Sequence, residues 1–188
     1  MFDFQEKGWC TNQLQALGIQ NFQEALDYIQ NLPYGRNSNR SAYRLVTTEG
    51  KGTCSTKHAF LKALAMEQKQ DSVQLIIGMY QMQVSNTPRI GAVLEAANIA
   101  WLPEAHCYLN IAGQRLDITT AQANFEKLAS YILEEKAIEP QQIGAYKVNY
   151  HQAYLKNWLR TTTYPYDFEA VWKIREQCIQ ALSEKGNS

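Results

Sequence analysis

Gly50-Lys51-Gly52-Thr53-Cys54-Ser55-Thr56-Lys57-His58-Ala59-Phe60-Leu61-Lys62-Ala63-Leu64-Ala65 reads as a loop running straight into a helix. Thr53 suits the N-cap, where its hydroxyl meets a first-turn amide. Beyond it Ala59, Phe60, Ala63 and Leu64 recur at helical spacing, so one face is expected to be buried. This puts Cys54 in the first turn, where unpaired N–H groups and the positive end of the helix dipole favour a thiolate. Lys51 and Lys57 are expected to add positive charge nearby. A thiolate at a loop–helix junction is the nucleophile that acyl chemistry uses.

Working outward, 188 residues are enough for one well-filled domain. Eighteen basic and eighteen acidic residues cancel, and no Lys/Arg run stands out, so neither a nucleic acid nor an anionic membrane is an expected partner. The apolar stretches are too short to span a bilayer. The opening Met1-Phe2-Asp3-Phe4-Gln5-Glu6-Lys7 has no basic segment followed by an apolar run, and the four cysteines are scattered without a CxxC. The expectation is a cytoplasmic protein carrying free thiols.

Before the cysteine stretch, 11–17 reads as a short helix stopped by Gly18. Asn21 and Glu24 form a capping box for a second helix, with Phe22, Ala25, Leu26 and Ile29 as its buried stripe and Pro33 as its stop. Residues 34–40 are a polar loop. Its Arg36 and Arg40 are read as solvated, with binding of an acidic substrate group as the alternative. Residues 43–46 are expected to be extended.

After the cysteine helix, 73–84 is expected to be a central strand, with Gly78 marking a bulge or a close approach. Thr87-Pro88 opens a helix that fades near Ile99. The second telling stretch is 103–119, two alternating runs around Ala112-Gly113, which reads as a hairpin. With Ile111 opposite Gln114, residues Cys107, Leu109, Ile111, Leu116 and Ile118 share one face. His106, Tyr108, Asn110, Arg115 and Asp117 share the other. Asp117 then lies diagonally from His106, about 7–8 Å away between backbones, close enough to fix the tautomer of the imidazole.

From Thr120 the chain turns helical, although 130–138 can also be a strand. Tyr146, Tyr150, Tyr154 and Trp158 make an aromatic stripe on a helix over about 145–159, read as core packing, and His151 beside it is read as structural or exposed. Asp167 caps a last helix whose Val171, Ile174, Cys178 and Leu182 are spaced for burial.

A first-turn cysteine followed by His and Asp on hairpin strands carries a resemblance. Gly-Thr-Cys-Ser-Thr-Lys-His-Ala-Phe-Leu around Cys54, Glu-Ala-His-Cys-Tyr-Leu around His106 and Leu-Asp-Ile-Thr around Asp117 resemble the transglutaminase-like superfamily, over about residues 50–119. The resemblance implies an α+β fold: a cysteine-proteinase-like core, its Cys-bearing helix packed on an antiparallel β-sheet, with flanking N- and C-terminal helices. The whole chain, 1–188, is then one domain, its C-terminal helical part about 141–185. Cys54 is implied as nucleophile, His106 as base then acid and Asp117 as orienter. The implied reaction is acyl transfer from an amide or peptide bond, with hydrolysis preferred to cross-linking and no metal or other cofactor. The expected partner is a peptide, protein or small amide substrate. Family members add an oxyanion donor upstream of the cysteine. No Trp or Gln stands just before Cys54, and Asn37, Asn39 and Tyr43 are the candidates.

Two other readings compete. One is a zinc site from Cys54, His58, His106 and Cys107, weakened because His106 and Cys107 are adjacent on a strand and point to opposite faces. The other is a transglutaminase-like module that binds a partner without chemistry.

Overall fold

The computed structural model describes residues 1–183, so 184–188, including the last two positions of the expected C-terminal helical range, lie outside the described residues. The fold is α+β. Eight helices are described: α1 (Trp9–Gln15), α2 (Phe22–Asn31), α3 (Leu45–Thr48), α4 (Cys54–Glu67), α5 (Gly91–Ala96), α6 (Glu126–Ala129), α7 (Ala145–Leu159) and α8 (Phe168–Ser183). Four strands, β1 (Val73–Gln83), β2 (Trp101–Ile111), β3 (Gln114–Leu116) and β4 (Ile132–Ile138), form one antiparallel sheet in the order β3-β2-β1-β4.

The cysteine helix α4 lies at the centre. It is enclosed more fully than its periodicity indicates: every residue from Ser55 to Ala65 except Lys62 is buried. Phe60, Leu61 and Leu64 pack with Leu14 of α1, Ile29 of α2, Leu75 and Ile77 of β1, and Cys107 and Leu109 of β2 in one cluster. A second cluster joins Met82, Leu94, Leu102, Leu155, Trp158 and Val171, where α5, α7 and α8 close over the other end of the sheet. The aromatic stripe of α7 divides between them. Tyr146, Tyr150 and Tyr154 lean on the first cluster and Trp158 belongs to the second.

Local signals account for most of the boundaries. Asn21 Oδ1 accepts from Glu24 N–H at 2.9 Å, while Glu24 reaches back to the N–H of Gln20. Asp167 Oδ1 accepts from Ala170 N–H at the start of α8. The hairpin pairs Leu109 with Leu116, Asn110 with Arg115 and Ile111 with Gln114. Its two turn residues both have positive φ, 50° at Ala112 and 91° at Gly113, the conformation a two-residue turn needs to match strand twist. Gly78 marks a close approach: a Cβ there would stand 2.7 Å from the ring of Tyr108, which crosses β1 to hydrogen-bond Glu135 of β4. The β1–β4 register shifts one residue later, between Met79 and Tyr80.

Two expectations are corrected. Residues 45–48 are helical rather than extended, because Val46 turns inward against the core, beside Gly52 and α4. Residues 132–138 form an edge strand although their burial is slight, because β1 offers its free side.

Candidate active site

Cys54 is the first residue of α4. At the cap, Thr53 N–H donates to Thr56 Oγ1 at 3.0 Å, so the box closes through the threonine three residues on. Thr56 Oγ1 in turn donates to Asn37 Oδ1, at 2.9 Å, and the Asn37 amide donates to Glu49 and to the Lys51 carbonyl. Asn37 therefore knits the loops beneath the cysteine and is not available as an oxyanion donor. Asn39 accepts from Ser41 N–H, and Tyr43 packs on the core. None of the three upstream candidates faces the sulfur as a donor.

The sheet brings the imidazole to the thiol. On β2, Ala105, Cys107 and Leu109 face α4, whereas Tyr108 faces the opposite side, against Phe125 and Ile76. His106 shares that side: its ring stacks edgewise near Tyr80 and Tyr108. His106 Nε2–H donates to Asp117 Oδ2 at 2.9 Å. This leaves Nδ1 as the ring nitrogen for the sulfur, and the charge of the ring and a hydrogen bond from it both act on Cys54. Asp117 Oδ1 accepts from the backbone N–H and the hydroxyl of Thr119, which fixes the carboxylate plane.

The β2–β3 ladder stops at Leu116, and side chains of α4 take its place. His58 Nε2 accepts from Ile118 N–H at 2.9 Å, so its proton sits on Nδ1 and is donated to the Cys54 carbonyl at 2.7 Å. With that tautomer, the 3.6 Å approach of Nε2 to Asp117 Oδ1 is not an ion pair. Lys57 Nζ donates to the carbonyls of Thr119, Leu32 and Gln30 at 2.9, 2.6 and 3.2 Å. Lys57 thus ties the strand end to α2 and adds nothing at the sulfur, contrary to expectation. Where the strand peels away, the backbone N–H of Cys107 is free to turn to Cys54.

The cation at the sulfur is Lys147, from α7. Its Nζ donates to Ser55 Oγ at 2.7 Å and stands 3.9 Å from Cys54 Sγ. Nothing in the sequence around position 147 singles it out, since α7 reads only as an aromatic stripe.

The electrostatics follow from these contacts. Burial would raise the Cys54 thiol, but the charges of Lys147 and His106 outweigh it and bring it down to about 6. Burial likewise opposes a charged His106, but Asp117 and Cys54 hold the imidazolium well above its ordinary range. Near neutral pH the two form a thiolate–imidazolium pair. His58 is pushed down to about 4, chiefly by burial, and stays neutral. Burial also lowers Lys57, to about 8.

Cys54 is half-buried and opens on two lobes of one cleft. One, of about 510 Å³, lies between the 34–41 loop, α7 and α8; the other, of about 450 Å³, extends past His106 and Asp117. Tyr34 and Glu104 line both. Burial and the nearby sulfur charge raise the Tyr34 phenol, which keeps its proton. Glu104 is clamped by Arg175 through two bonds, and Arg36 pairs with Glu176 at 2.9 Å. Arg36 is thus paired at the cleft wall rather than solvated, while Arg40 is exposed at the rim. His151 is buried and donates to the Pro103 carbonyl at 2.9 Å, a structural role.

The four residues of the rival zinc reading do not converge. Both ring nitrogens of His58 are engaged, and Cys107 points into the core. Among the described residues no group of three His, Cys, Asp or Glu side chains is arranged to hold a metal ion, and no helix is long and apolar enough to cross a membrane. Comparison with protein-family models, with curated proteins and with solved structures returns no match for this chain.

Proposed function

We propose that this chain is a thiol-dependent acyl-transfer enzyme that hydrolyses an amide or peptide bond, with Cys54 as nucleophile, His106 as acid and base, and Asp117 as orienter. The observation that carries the reading is the line of sulfur, imidazole and carboxylate at the mouth of a two-lobed cleft. A Cys-bearing helix packed on an antiparallel sheet, with His and Asp on neighbouring strands, also fits the cysteine-proteinase-like core of the transglutaminase-like superfamily that the motifs resemble.

The chemistry runs from the resting ion pair. The thiolate attacks the substrate carbonyl, and the negative charge moves to the carbonyl oxygen beside the first-turn N–H groups of α4. His106 then gives its Nδ1 proton to the leaving amine, the C–N bond breaks, and a thioester remains on Cys54. Neutral His106 next takes a proton from water, whose oxygen attacks the thioester carbonyl. The C–S bond breaks, the acid leaves, and the ion pair is restored. Asp117 holds the ring in the Nε2–H tautomer throughout. The cleft extends from the sulfur in two directions, which leaves water a path to the thioester and favours hydrolysis over transfer to an amine.

A second reading, a binding module without chemistry, draws on the engagement of Asn37, Asn39 and Tyr43 elsewhere. Iodoacetamide alkylation against pH separates the two. An enzyme shows a Cys54-dependent midpoint near 6, absent in Cys54→Ala. A midpoint in the ordinary thiol range, about 8.5, would sink the enzyme reading.

A further inference from the structure

We infer that Lys147 is a further catalytic residue, an ammonium that neutralises the thiolate at rest and moves to the carbonyl oxygen as negative charge passes there. The inference rests on the acyl-transfer reading of Cys54.

Position comes first. Lys147 Nζ is 3.9 Å from Cys54 Sγ and is aimed by a 2.7 Å bond to Ser55 Oγ, the residue next to the nucleophile. The oxygen of a tetrahedral adduct lies one bond beyond the carbon joined to sulfur, closer to the sulfur than Nζ is at rest. A small swing of the lysine stem brings Nζ within the roughly 2.7–3.1 Å that an oxyanion donor requires. Lys147 also lines the larger lobe of the cleft, so a bound substrate meets it.

Charge comes second. The groups around Nζ and the sulfur are His106, Glu104 and Cys107 from β2, Arg175 from α8, and Tyr34. Glu104 is the one carboxylate among them, and both of its oxygens are bonded to Arg175. Among the described residues no carboxylate lies within ion-pair distance of Nζ. The partner of Lys147 at rest is therefore the thiolate. Acylation removes that partner, and the only new negative charge is on the substrate oxygen. This differential interaction, stronger in the transition state than after it, is what catalysis requires. The same environment raises the Lys147 pKa against the effect of burial, so the amine stays protonated and does not serve as acyl acceptor.

Two reagents separate the roles. Iodoacetamide alkylates a thiolate by displacement, with no oxyanion. p-Nitrophenyl acetate acylates it through one. Both are measured against pH on the full chain and on Lys147→Met, Lys147→Arg and Ser55→Ala, with Cys54→Ala as background. In Lys147→Met the alkylation midpoint is expected to rise from about 6. At about pH 9, where the thiolate is formed in both proteins, alkylation returns to the wild-type rate, while acylation stays lower by about 10²-fold. Lys147→Arg recovers much of both. Ser55→Ala, a smaller change that leaves the lysine but not its aim, slows acylation at that pH without slowing alkylation. Normal alkylation at high pH doubles as the folding control. Equal recovery of both reactions in Lys147→Met would overturn the oxyanion role. An ordinary thiol midpoint in the wild type, or no acylation of Cys54, would overturn the acyl-transfer reading itself, a different result.

Discussion

The two lysines that flank the nucleophile occupy opposite surroundings. Lys57, three residues after Cys54 on the same helix, is fully buried and saturated by three backbone carbonyls. Lys147, ninety-three residues away in the chain, faces an open cleft with one hydroxyl and the sulfur for company. The contrast extends to the two sides of the site. On the hairpin side every polar group is used: Lys57, His58, Asp117 and Thr119 satisfy one another or the backbone, and the result is a fixed geometry. On the α7–α8 side charge remains unspent. Saturated polar groups hold a site in place; unsaturated ones are left to meet a substrate.

The largest effect expected from breaking the hairpin side is on turnover. Cys54→Ala or His106→Ala lowers kcat by about 10⁵–10⁶-fold, measured as single-turnover hydrolysis of an activated ester or amide. Near-normal turnover in His106→Ala would refute the assignment. Asp117→Asn follows, at about 10³–10⁴-fold, for a reason specific to this site. Two Thr119 donors meet Oδ1, so the amide oxygen must stay there and the NH₂ must face His106 Nε2. The ring proton is forced onto Nδ1, toward the sulfur, and the base is lost. The variant's alkylation midpoint rises as well; an unchanged midpoint would contradict this account.

His58→Phe sharpens the comparison through stability. The imidazole titrates at about 4 when folded against an ordinary 6.5. Between those values the unfolded chain binds a proton that the folded chain refuses, so stability falls as pH falls through that window. The loss is on the order of 3 kcal/mol in total. His151, also lowered by burial, adds slope of the same sign. In His58→Phe the slope of urea unfolding free energy between pH 6.5 and 4 shrinks to the share left by His151. An unaltered slope would mean that His58 is not held neutral.

The smallest effect separates the lysines. Lys57→Met leaves three carbonyls without a partner and costs about 2 kcal/mol in unfolding free energy. Its thiol midpoint stays where it is, whereas the midpoint of Lys147→Met moves. Equal midpoint shifts in the two variants would erase the distinction on which the site's two sides rest.

Local sequence carried much of this architecture. The Thr53–Cys54 helix start, the Asn21 and Asp167 caps, the 145–159 helix and the register around Ala112-Gly113 all follow from contacts within a few residues, where propensity and alternation act directly. The register alone put His106 and Asp117 on one face, because side chains in a strand alternate with period two. Where distant segments meet, that logic stops. Periodicity showed one buried face of α4, but the helix is enclosed on nearly all sides, and its polar residues are tolerated only because Asn37, Leu32, Thr119 and Ile118 arrive from elsewhere to bond them.

What the chain's own pattern determined, then, is the nucleophile's place at a helix start and the pairing of imidazole with carboxylate on a hairpin. Tertiary structure alone decided which cation stands at the sulfur. Lys57 and Lys147 are chemically the same residue, and sequence proximity favoured the wrong one. A side chain's electrostatic role depends on distance through space and on the partners that compete for it, and folding sets both.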